Sequence, residues 1–208
     1  MNEPTVFIID DNSSARRGLT RVLRAAGMNA ESFASAADFL ALEKRDVPGC
    51  ILLDVRMPEM TGPELQEKLG EAEYCLPIIF LSAHGDVPTA THTMKRGAVD
   101  FLTKPVDYDV LKEAITAALA RDAEFRALRT KMDSVSARFE QLTPREHEAM
   151  KYVISGMLNK QIAGEMGIAE DTVKIHRGRV MHKLGIDSVA ELVRLCEKAG
   201  IAPTEPRT

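Results

Sequence analysis

Five polar side chains follow or end short apolar runs of the chain, and their types suit the handling of a phosphoryl group. Asp10 and Asp11 follow one run, and Asp54 follows a second. Ser82 and Lys104 end two further runs. Three carboxylates in one crevice repel one another unless a cation joins them, and oxygen-only ligands suit Mg²⁺. Lys104 would add a second positive charge, and phosphoryl transfer depends mostly on positioning and charge stabilisation. Asp54 is the expected nucleophile because a lone carboxylate between two cations can attack phosphorus.

The elements that would position these residues alternate along the first half of the chain. Short apolar runs rich in β-branched residues occupy 5–9, 50–53 and 77–81, with weaker candidates at 30–33 and 99–102. Helical patterns lie between them at 14–26, 36–44, 62–72, 88–96 and from 107 onward. The first helical pattern places Ala15, Leu19, Val22, Leu23 and Ala26 on one face. This alternation predicts an α/β doubly wound, five-stranded parallel sheet, and such sheets bind ligands at the carboxyl ends of their strands.

Composition excludes several other classes of protein. The 208 residues are 45% hydrophobic and 28% charged, which is ordinary for a globular chain. No apolar run approaches the roughly 20 residues that span a bilayer, and the N-terminus lacks the pattern of a signal peptide. The three cysteines are scattered and lack CxxC spacing, so neither a disulfide framework nor a zinc site is indicated. A cytoplasmic protein is expected.

Asp-Asp after a strand is also common turn chemistry, so that pair alone is a weak signal. The complete set is specific, and residues 5–120 resemble the receiver domain of two-component response regulators, a flavodoxin-like fold. The matching elements are Ile9-Asp10-Asp11, Leu53-Asp54-Val55-Arg56-Met57-Pro58, Gly62, Leu81-Ser82-Ala83, Phe101 and Lys104-Pro105. The resemblance implies that Asp54 accepts phosphate from a sensor histidine kinase. It also implies that Asp11 and Asp54 bind Mg²⁺ together with the backbone carbonyl of Arg56, with Asp10 assisting.

The same resemblance assigns roles to three further residues. Ser82 would donate its hydroxyl to the phosphoryl group, Lys104 would pair with it, and Phe101 would be the aromatic switch that swings inward. A cis Lys104–Pro105 bond is implied as well. His84 and Asp86 could reach the same site, although a solvated loop is the simpler interpretation, and the Arg56 side chain is expected to point outward.

A connector at 121–141 is expected between two domains. The helix that starts near Asp107 as N-cap meets no Gly or Pro before Pro144. Its apolar residues recur in steps of three and four, as at the a and d positions of a coiled coil, at Leu111, Ala114, Ala118, Phe125, Leu128, Met132, Val135, Phe139 and Leu142. Arg121 interrupts the pattern. A dimer-forming helical connector and a charged flexible linker both remain open.

Residues 142–201 show the signals of four short helices, which predict a small all-α domain. Thr143 and Glu146 fit a capping box with Pro144 in the first turn, and Gly156 ends that helix. Asn159 is expected to cap a second helix that ends at Gly167. A third helix is expected from Glu170 to Leu184. Ser188 and Glu191 form the capping box of a fourth, which ends at Gly200. The tail at 202–208 has no apolar anchor and is expected to be disordered.

The second and third helices have the spacing of a helix-turn-helix, and the third is basic. Residues 1–120 hold 12 Lys and Arg against 18 Asp and Glu, whereas 141–201 hold 9 against 8. Three segments resemble the LuxR-type helix-turn-helix of the FixJ/NarL class: Leu142–Glu146, Asn159–Ala163 and Thr172–Met181. A basic helix face is often merely solvated, but together with the tight turn it predicts binding to promoter DNA.

By position, the resemblance places Lys174 and Ile175 at base edges. Plausible phosphate contacts are Thr172, His176, Arg179, Lys183 and Lys160. Some relatives have a lysine where this chain has Gly178, so Arg177 is the candidate substitute for that contact.

The resulting hypothesis is a DNA-binding transcription regulator rather than an enzyme, in which phosphorylation of Asp54 promotes a homodimer. The 121–141 helix is a second candidate for the dimer contact, and RNA polymerase is a candidate partner. Two alternatives stay open. An Mg²⁺-dependent phosphohydrolase is disfavoured because Arg56 stands where a second carboxylate would be needed. A DNA-binding protein that ignores phosphorylation is disfavoured by the intact acidic set.

Overall fold

The computed structural model describes residues 3–42, 46–72, 75–83, 85 and 87–204. The chain forms two compact units, Met1–Arg126 and Ala127–Thr208. Across the described ranges, no helix is both long enough and apolar enough to span a membrane.

The first unit is built around a five-stranded parallel sheet with the order β2-β1-β3-β4-β5. Its strands are β1 (Thr5–Ile9), β2 (Asn29–Phe33), β3 (Gly49–Asp54), β4 (Ile78–Ser82) and β5 (Asp100–Thr103). Its helices are α1 (Ser13–Ala25), α2 (Ala36–Leu40), α3 (Gly62–Glu71), α4 (Val87–Lys95) and the first part of α5 (Tyr108–Glu140). The predicted doubly wound α/β fold is confirmed.

Continuous apolar runs form the strands because both faces of the sheet are covered. Phe7 and Ile9 of β1 belong to one hydrophobic cluster, while Val6 and Ile8 belong to another. Strand side chains point alternately to opposite faces, so successive residues of β1 enter different cores. Every residue of β3 is buried. The central strand that ends in Asp54 is therefore held firmly from both sides.

Helix α1 buries only part of its apolar face. Leu23 is buried and Leu19 is partly buried, whereas Val22 and Ala26 are exposed. The helix packs against the edge strand β2 and its neighbour β1. At the rim of a sheet, only part of an apolar helix face has strand residues beneath it. Helix α2 begins after the predicted cap Ser35 but already ends at Leu40.

The second unit contains four further helices, in agreement with the predicted all-α domain. They are α6 (Pro144–Ile154), α7 (Asn159–Met166), α8 (Glu170–Leu184) and α9 (Val189–Lys198). Thr143 and Glu146 form the predicted capping box of α6. Gly156, Gly167 and Gly185 follow three of the helices with positive φ angles, which glycine adopts without steric cost. One hydrophobic core unites this unit, with Met150, Val173 and Val180 at its centre.

Two predicted caps differ in detail. The residue before α7 is Leu158, not Asn159, and the Leu158 amide donates to the Gln161 side chain over 2.8 Å. Asn159 is already the first residue of the helix, and its side-chain oxygen accepts a hydrogen bond from Arg177. At α9, Ser188 Oγ accepts from the Glu191 amide as expected, whereas the Glu191 carboxylate accepts from the amide of Asp187 rather than that of Ser188.

Helix α5 starts where Asp107 Oδ1 accepts from the Asp109 amide over 2.8 Å. The first unit extends to Arg126, beyond residue 120, because Asp122 bonds to Gly49 at the start of β3 and Arg126 bonds to Asp46 before it. In the second unit, Val135, Phe139 and Leu142 pack into the core of that unit, so they are not free for a coiled-coil seam. Phe125, Leu128 and Met132 are exposed, and a coiled coil there stays a prediction. Of the tail, residues 205–208 lie outside the described ranges.

Candidate functional site

The carboxyl edge of the sheet brings acidic side chains together at the ends of neighbouring strands. Asp10 follows β1 and Asp54 ends β3, and these two strands are paired in the sheet. Both residues are buried, with 1% and 7% of their surface exposed. Ser82 ends β4 and is buried too, and Lys104 follows β5. The chain thus places four of the predicted side chains at one edge.

Lys104 joins the two buried carboxylates. Its ammonium lies 2.6 Å from Asp10 Oδ2 and also donates a short hydrogen bond to Asp54 Oδ1. The remaining oxygens are satisfied by backbone amides, since Asp10 Oδ1 accepts from Asn12 and Asp54 Oδ2 accepts from Arg56, each over 2.8 Å. The Lys104 amide donates to the Ser82 carbonyl over 2.7 Å, and the Lys104–Pro105 bond is cis, as the resemblance implies.

The electrostatics of this edge differ for the acid and the base. Burial raises the pKa of Asp54, and the hydrogen bonds from Lys104 and the Arg56 amide only partly offset that effect. Burial would lower the pKa of Lys104, but its hydrogen bonds to Asp10 and Asp54 outweigh burial and raise that pKa. Lys104 therefore stays protonated at neutral pH. With both carboxylates ionised, one ammonium leaves the cluster with a net charge of about −1.

The donor chemistry of this edge fits a hard cation. Among the described residues, no three His, Cys, Asp or Glu side chains are gathered closely enough to form a metal cage. Asp11 is exposed, and Asp10 and Asp54 are bound by Lys104. The two buried carboxylates nevertheless converge on one cation, the ammonium, and retain excess negative charge. Carboxylate oxygens with a backbone carbonyl and water are the ligands that Mg²⁺ takes in proteins.

The remaining predicted residues of this edge have distinct environments. Phe101 is half-buried and stacks against Phe80, with ring centroids 6.3 Å apart. The Arg56 side chain is exposed, as expected. His84 and Asp86 lie outside the described residues. Gly62 is required at the start of α3 because a Cβ there would lie 2.4 Å from the Asp54 carbonyl oxygen.

Sequence reasoning missed the side chains that hold the loop after β1. Arg16 Nη1 donates to the carbonyls of Asp10 and Asp11, over 2.6 and 2.9 Å. Asn12 caps α1 by accepting from the amides of Ser14 and Ala15. An asparagine immediately before a helical pattern is a recognised capping signal and could have identified Asn12. The two carbonyl bonds of Arg16 have no comparable sequence signal.

The second unit contains a helix-turn-helix made of α7 and α8. A short turn at 167–169 joins the two helices and begins at Gly167, whose φ is +64°. Val173, Val180 and Leu184 anchor α8 in the core. A helix held rigidly in this way can present its opposite face to the major groove of DNA.

The predicted DNA contacts fall into two groups. Five side chains are exposed or partly exposed on α8 and one on α7: Thr172, Lys174, Ile175, His176, Arg179 and Lys160. Lys183 and Arg177 are engaged within the unit. Lys183 lies 2.6 Å from the buried Glu146 carboxylate and donates to the Gln141 carbonyl, while Arg177 donates to Asn159. Their packing partners come from distant parts of the chain, which sequence spacing does not reveal.

A receiver-type sheet edge in one unit and a helix-turn-helix in the other define the class of two-component response regulators with a DNA-binding output. Residues 6–116 match the family model of the response regulator receiver domain, and residues 140–196 match that of the bacterial regulatory proteins of the luxR family. The chain therefore belongs to the response regulators that join a receiver to a LuxR-type DNA-binding domain, and the expected family is confirmed.

Individual relatives are similar to this chain in sequence along nearly its whole length. Nodulation protein W of Bradyrhizobium diazoefficiens is 43% identical, over 95% of this chain and 87% of that protein. The transcriptional regulatory protein FixJ of Azorhizobium caulinodans is 37% identical, over 98% of this chain and 96% of that protein. The solved structure of the response regulator StyR is 46% identical, covers 95% of this chain and all of that one, and has a TM-score of 0.82.

Proposed function

We propose that Asp54 is the phosphoacceptor and that its phosphorylation by a sensor histidine kinase promotes dimerisation and binding to promoter DNA. The observation that carries this proposal is the Lys104 ammonium, which is bound to both Asp10 and Asp54 at the carboxyl edge of the sheet. A cation at that position can neutralise charge on a phosphoryl group as it is transferred.

The transfer is a displacement at phosphorus. An Asp54 carboxylate oxygen forms a bond to phosphorus while the bond from phosphorus to the donor histidine nitrogen breaks, and the histidine takes up a proton. Asp10, Asp11, Asp54 and the Arg56 carbonyl would hold Mg²⁺, which supplies charge neutralisation for the phosphoryl oxygens. Lys104 then pairs with the phosphoryl group, and Ser82 donates its hydroxyl to it. The protein catalyses nothing beyond its own phosphorylation from small donors and a slow dephosphorylation.

The phosphoryl group is expected to draw Ser82 and Phe101 inward and to reshape the receiver surface. Phe101 lies on β5 at the edge of the sheet and is partly exposed, with its ring stacked on Phe80. A receiver dimer would present two copies of α8 to one palindromic site, so two weak contacts would act together.

The parts of the chain are assigned as a receiver at 1–120, a helical connector at 121–141 and a DNA-binding domain at 142–201. The proposed DNA contacts are Lys160, Thr172, Lys174, Ile175, His176 and Arg179. Lys183 and Arg177 are left out because Glu146 and Asn159 already bind them. The protein would act in the cytoplasm, with the kinase, promoter DNA and RNA polymerase as partners.

The test compares Asp54→Asn with Asp38→Asn, which makes the same change at an exposed carboxylate of α2. With acetyl phosphate and Mg²⁺, intact-protein mass spectrometry should show one added phosphoryl group in the wild type and in Asp38→Asn, but none in Asp54→Asn. Sedimentation velocity should show dimerisation in the first two proteins alone. Equal phosphorylation of Asp54→Asn would place the phosphoacceptor elsewhere, and equal dimerisation would refute the switch.

A further inference from the structure

The exposed face of α8 carries a carboxylate in its first turn. Asp171 is 88% exposed, and it lies one helical turn before Ile175 and two turns before Gly178, both of which are exposed. The buried side chains of Val173 and Val180 lie on the opposite side of the helix. In a helix-turn-helix, the first residues of the second helix meet the base edges. Asp171 therefore lies where α8 would enter the major groove.

Asp171 is paired with the neighbouring cation on the same face. Its Oδ1 lies 2.9 Å from the ammonium of Lys174, three residues along the helix. Glu170 lies 4.0 Å from the same ammonium but on the flank of the helix. The hydrogen bond and the charge of Asp171 raise the pKa of Lys174, with a smaller contribution from Glu170. An acceptor and a donor thus stand side by side on the groove-facing surface.

A carboxylate in this place has a specific chemical consequence. It is repelled by phosphate oxygens, so it weakens contacts that do not depend on sequence. In the major groove a carboxylate can accept a hydrogen bond from the N4 amino group of cytosine, and a lysine can donate to O6 and N7 of guanine. The other acceptors that a base edge offers would repel the carboxylate.

We propose that Asp171 is a specificity-determining residue, which accepts a hydrogen bond from a cytosine of the operator while Lys174 donates to a guanine beside it. The proposal rests on the proposed role of α8 in DNA binding. It assigns to Asp171 two effects at once, selection of cytosine at one position and rejection of DNA that lacks it.

The experiment uses the full-length phosphorylated protein and a random duplex library. The wild type selects its operator, and the selection is repeated with Asp171→Asn. Asparagine pairs with adenine N6 and N7, so the preferred base at one position should change from cytosine to adenine. The wild-type preference at that position should fall by about 5- to 150-fold, the discrimination expected of one base contact. Binding to non-operator duplexes should strengthen.

Matched variants separate this effect from helix stability. Glu170→Gln removes a charge from the same helical turn but on the flank, and it should leave the selected sequence unchanged. Asp171→Ser keeps a short polar residue near the helix start and should lose the cytosine preference without gaining adenine. Circular dichroism should show the same helix content in all the variants. If both Asp171 variants select the wild-type operator with undiminished discrimination, the proposal is wrong.

Failure of the proposed DNA-binding role looks different. If α8 does not read DNA, then Lys174→Met and Arg179→Met bind the operator selected by the wild type with the same affinity as the wild type. If α8 does read DNA but Asp171 plays no part, the Lys174 and Arg179 variants bind more weakly while the base preference of Asp171→Asn stays that of the wild type.

Discussion

At the scale of single residues, the carboxyl edge of the sheet holds a cluster of two buried carboxylates that share one ammonium. Asp10 and Asp54 are bound by Lys104, whose side chain is 24% exposed. Leaving a buried charge without its partner is costly, whereas removing one of two like charges relieves repulsion. Burial raises the pKa of Asp54, and the charge of Asp10 adds a smaller contribution in the same direction.

We therefore expect opposite effects from two substitutions at this cluster. Lys104→Met should lower the free energy of unfolding of the first unit by about 3 kcal/mol, because it leaves two carboxylates without a cation. Asp54→Asn should leave that free energy unchanged or raise it. A raised carboxyl pKa means that protonation of Asp54 favours the folded state. The gain in stability of Asp54→Asn over the wild type should therefore shrink as the pH falls towards that pKa. Urea unfolding at several pH values measures both effects, and equal losses in the two variants would contradict this description.

At the scale of elements, two ion pairs tie helices to distant segments. Glu146, which closes the capping box of α6, also binds Lys183 near the end of α8. The hydrogen bond from Lys183, and then that from the Thr143 amide, lowers the pKa of Glu146 to about 2. In the first unit, the buried Asp122 accepts from the Gly49 amide over 2.9 Å and binds Arg126, which also bonds to Asp46.

Glu146→Gln should destabilise the second unit in a pH-dependent way. A depressed carboxyl pKa adds stability above the ordinary value of 4.5, and this contribution is lost as the pH falls towards about 2. The variant should lose about 1–3 kcal/mol at neutral pH, because the Lys183 ammonium loses its charged partner. The difference from the wild type should disappear near pH 2. Glu148→Gln, at a partly exposed position on the same helix, is the control and should have little effect.

Asp122→Ala should destabilise the first unit by about 1–3 kcal/mol, since it leaves the Gly49 amide without its buried acceptor while Arg126 keeps its bond to Asp46. Glu124→Ala, at an exposed position of the same helix, should change the stability far less. Chemical unfolding measures the change in the free energy of unfolding, and native-state hydrogen exchange at residues 46–49 measures the change in this segment. Exchange there that is as slow as in the wild type would show that Asp122 does not hold this segment.

At the scale of the whole molecule, each unit has its own hydrophobic core. The first unit contains two clusters, one on each face of the sheet, and the second contains one cluster formed by its helices. Net charge also differs along the chain, because the excess of Asp and Glu over Lys and Arg lies in residues 1–120. Separate cores are expected to unfold as separate cooperative units.

Calorimetry of the full-length protein should therefore resolve two thermal transitions. Asp122→Ala should shift one of them and Glu146→Gln the other, since each residue stabilises a different core. The two variants serve as controls for each other. A single transition that moves in both variants would mean that the units unfold together.

Much of the fold was predictable because local patterns carry it. The run at 5–9 is continuously apolar since its side chains alternate between two buried faces, and this indicated a central parallel strand. Capping residues and glycines marked the helices of the second unit. The strand ends predicted that four polar side chains would lie together at the carboxyl edge of the sheet: Asp10, Asp54, Ser82 and Lys104. Local patterns did not show that Val22 is exposed, because its burial depends on how far a neighbouring strand extends beneath α1.

The sequence by itself determined the fold class, the family and the set of polar residues at the sheet edge, because periodicity and strand ends are local properties. Only the tertiary structure decided which charged side chains are bound by distant partners. Lys183 and Lys174 lie on the same basic helix, yet Glu146 of another helix binds Lys183, whereas Lys174 pairs on the surface with Asp171, three residues before it. The local pair follows from helical spacing, but sequence spacing does not contain the distance over which the fold brings Glu146 to Lys183.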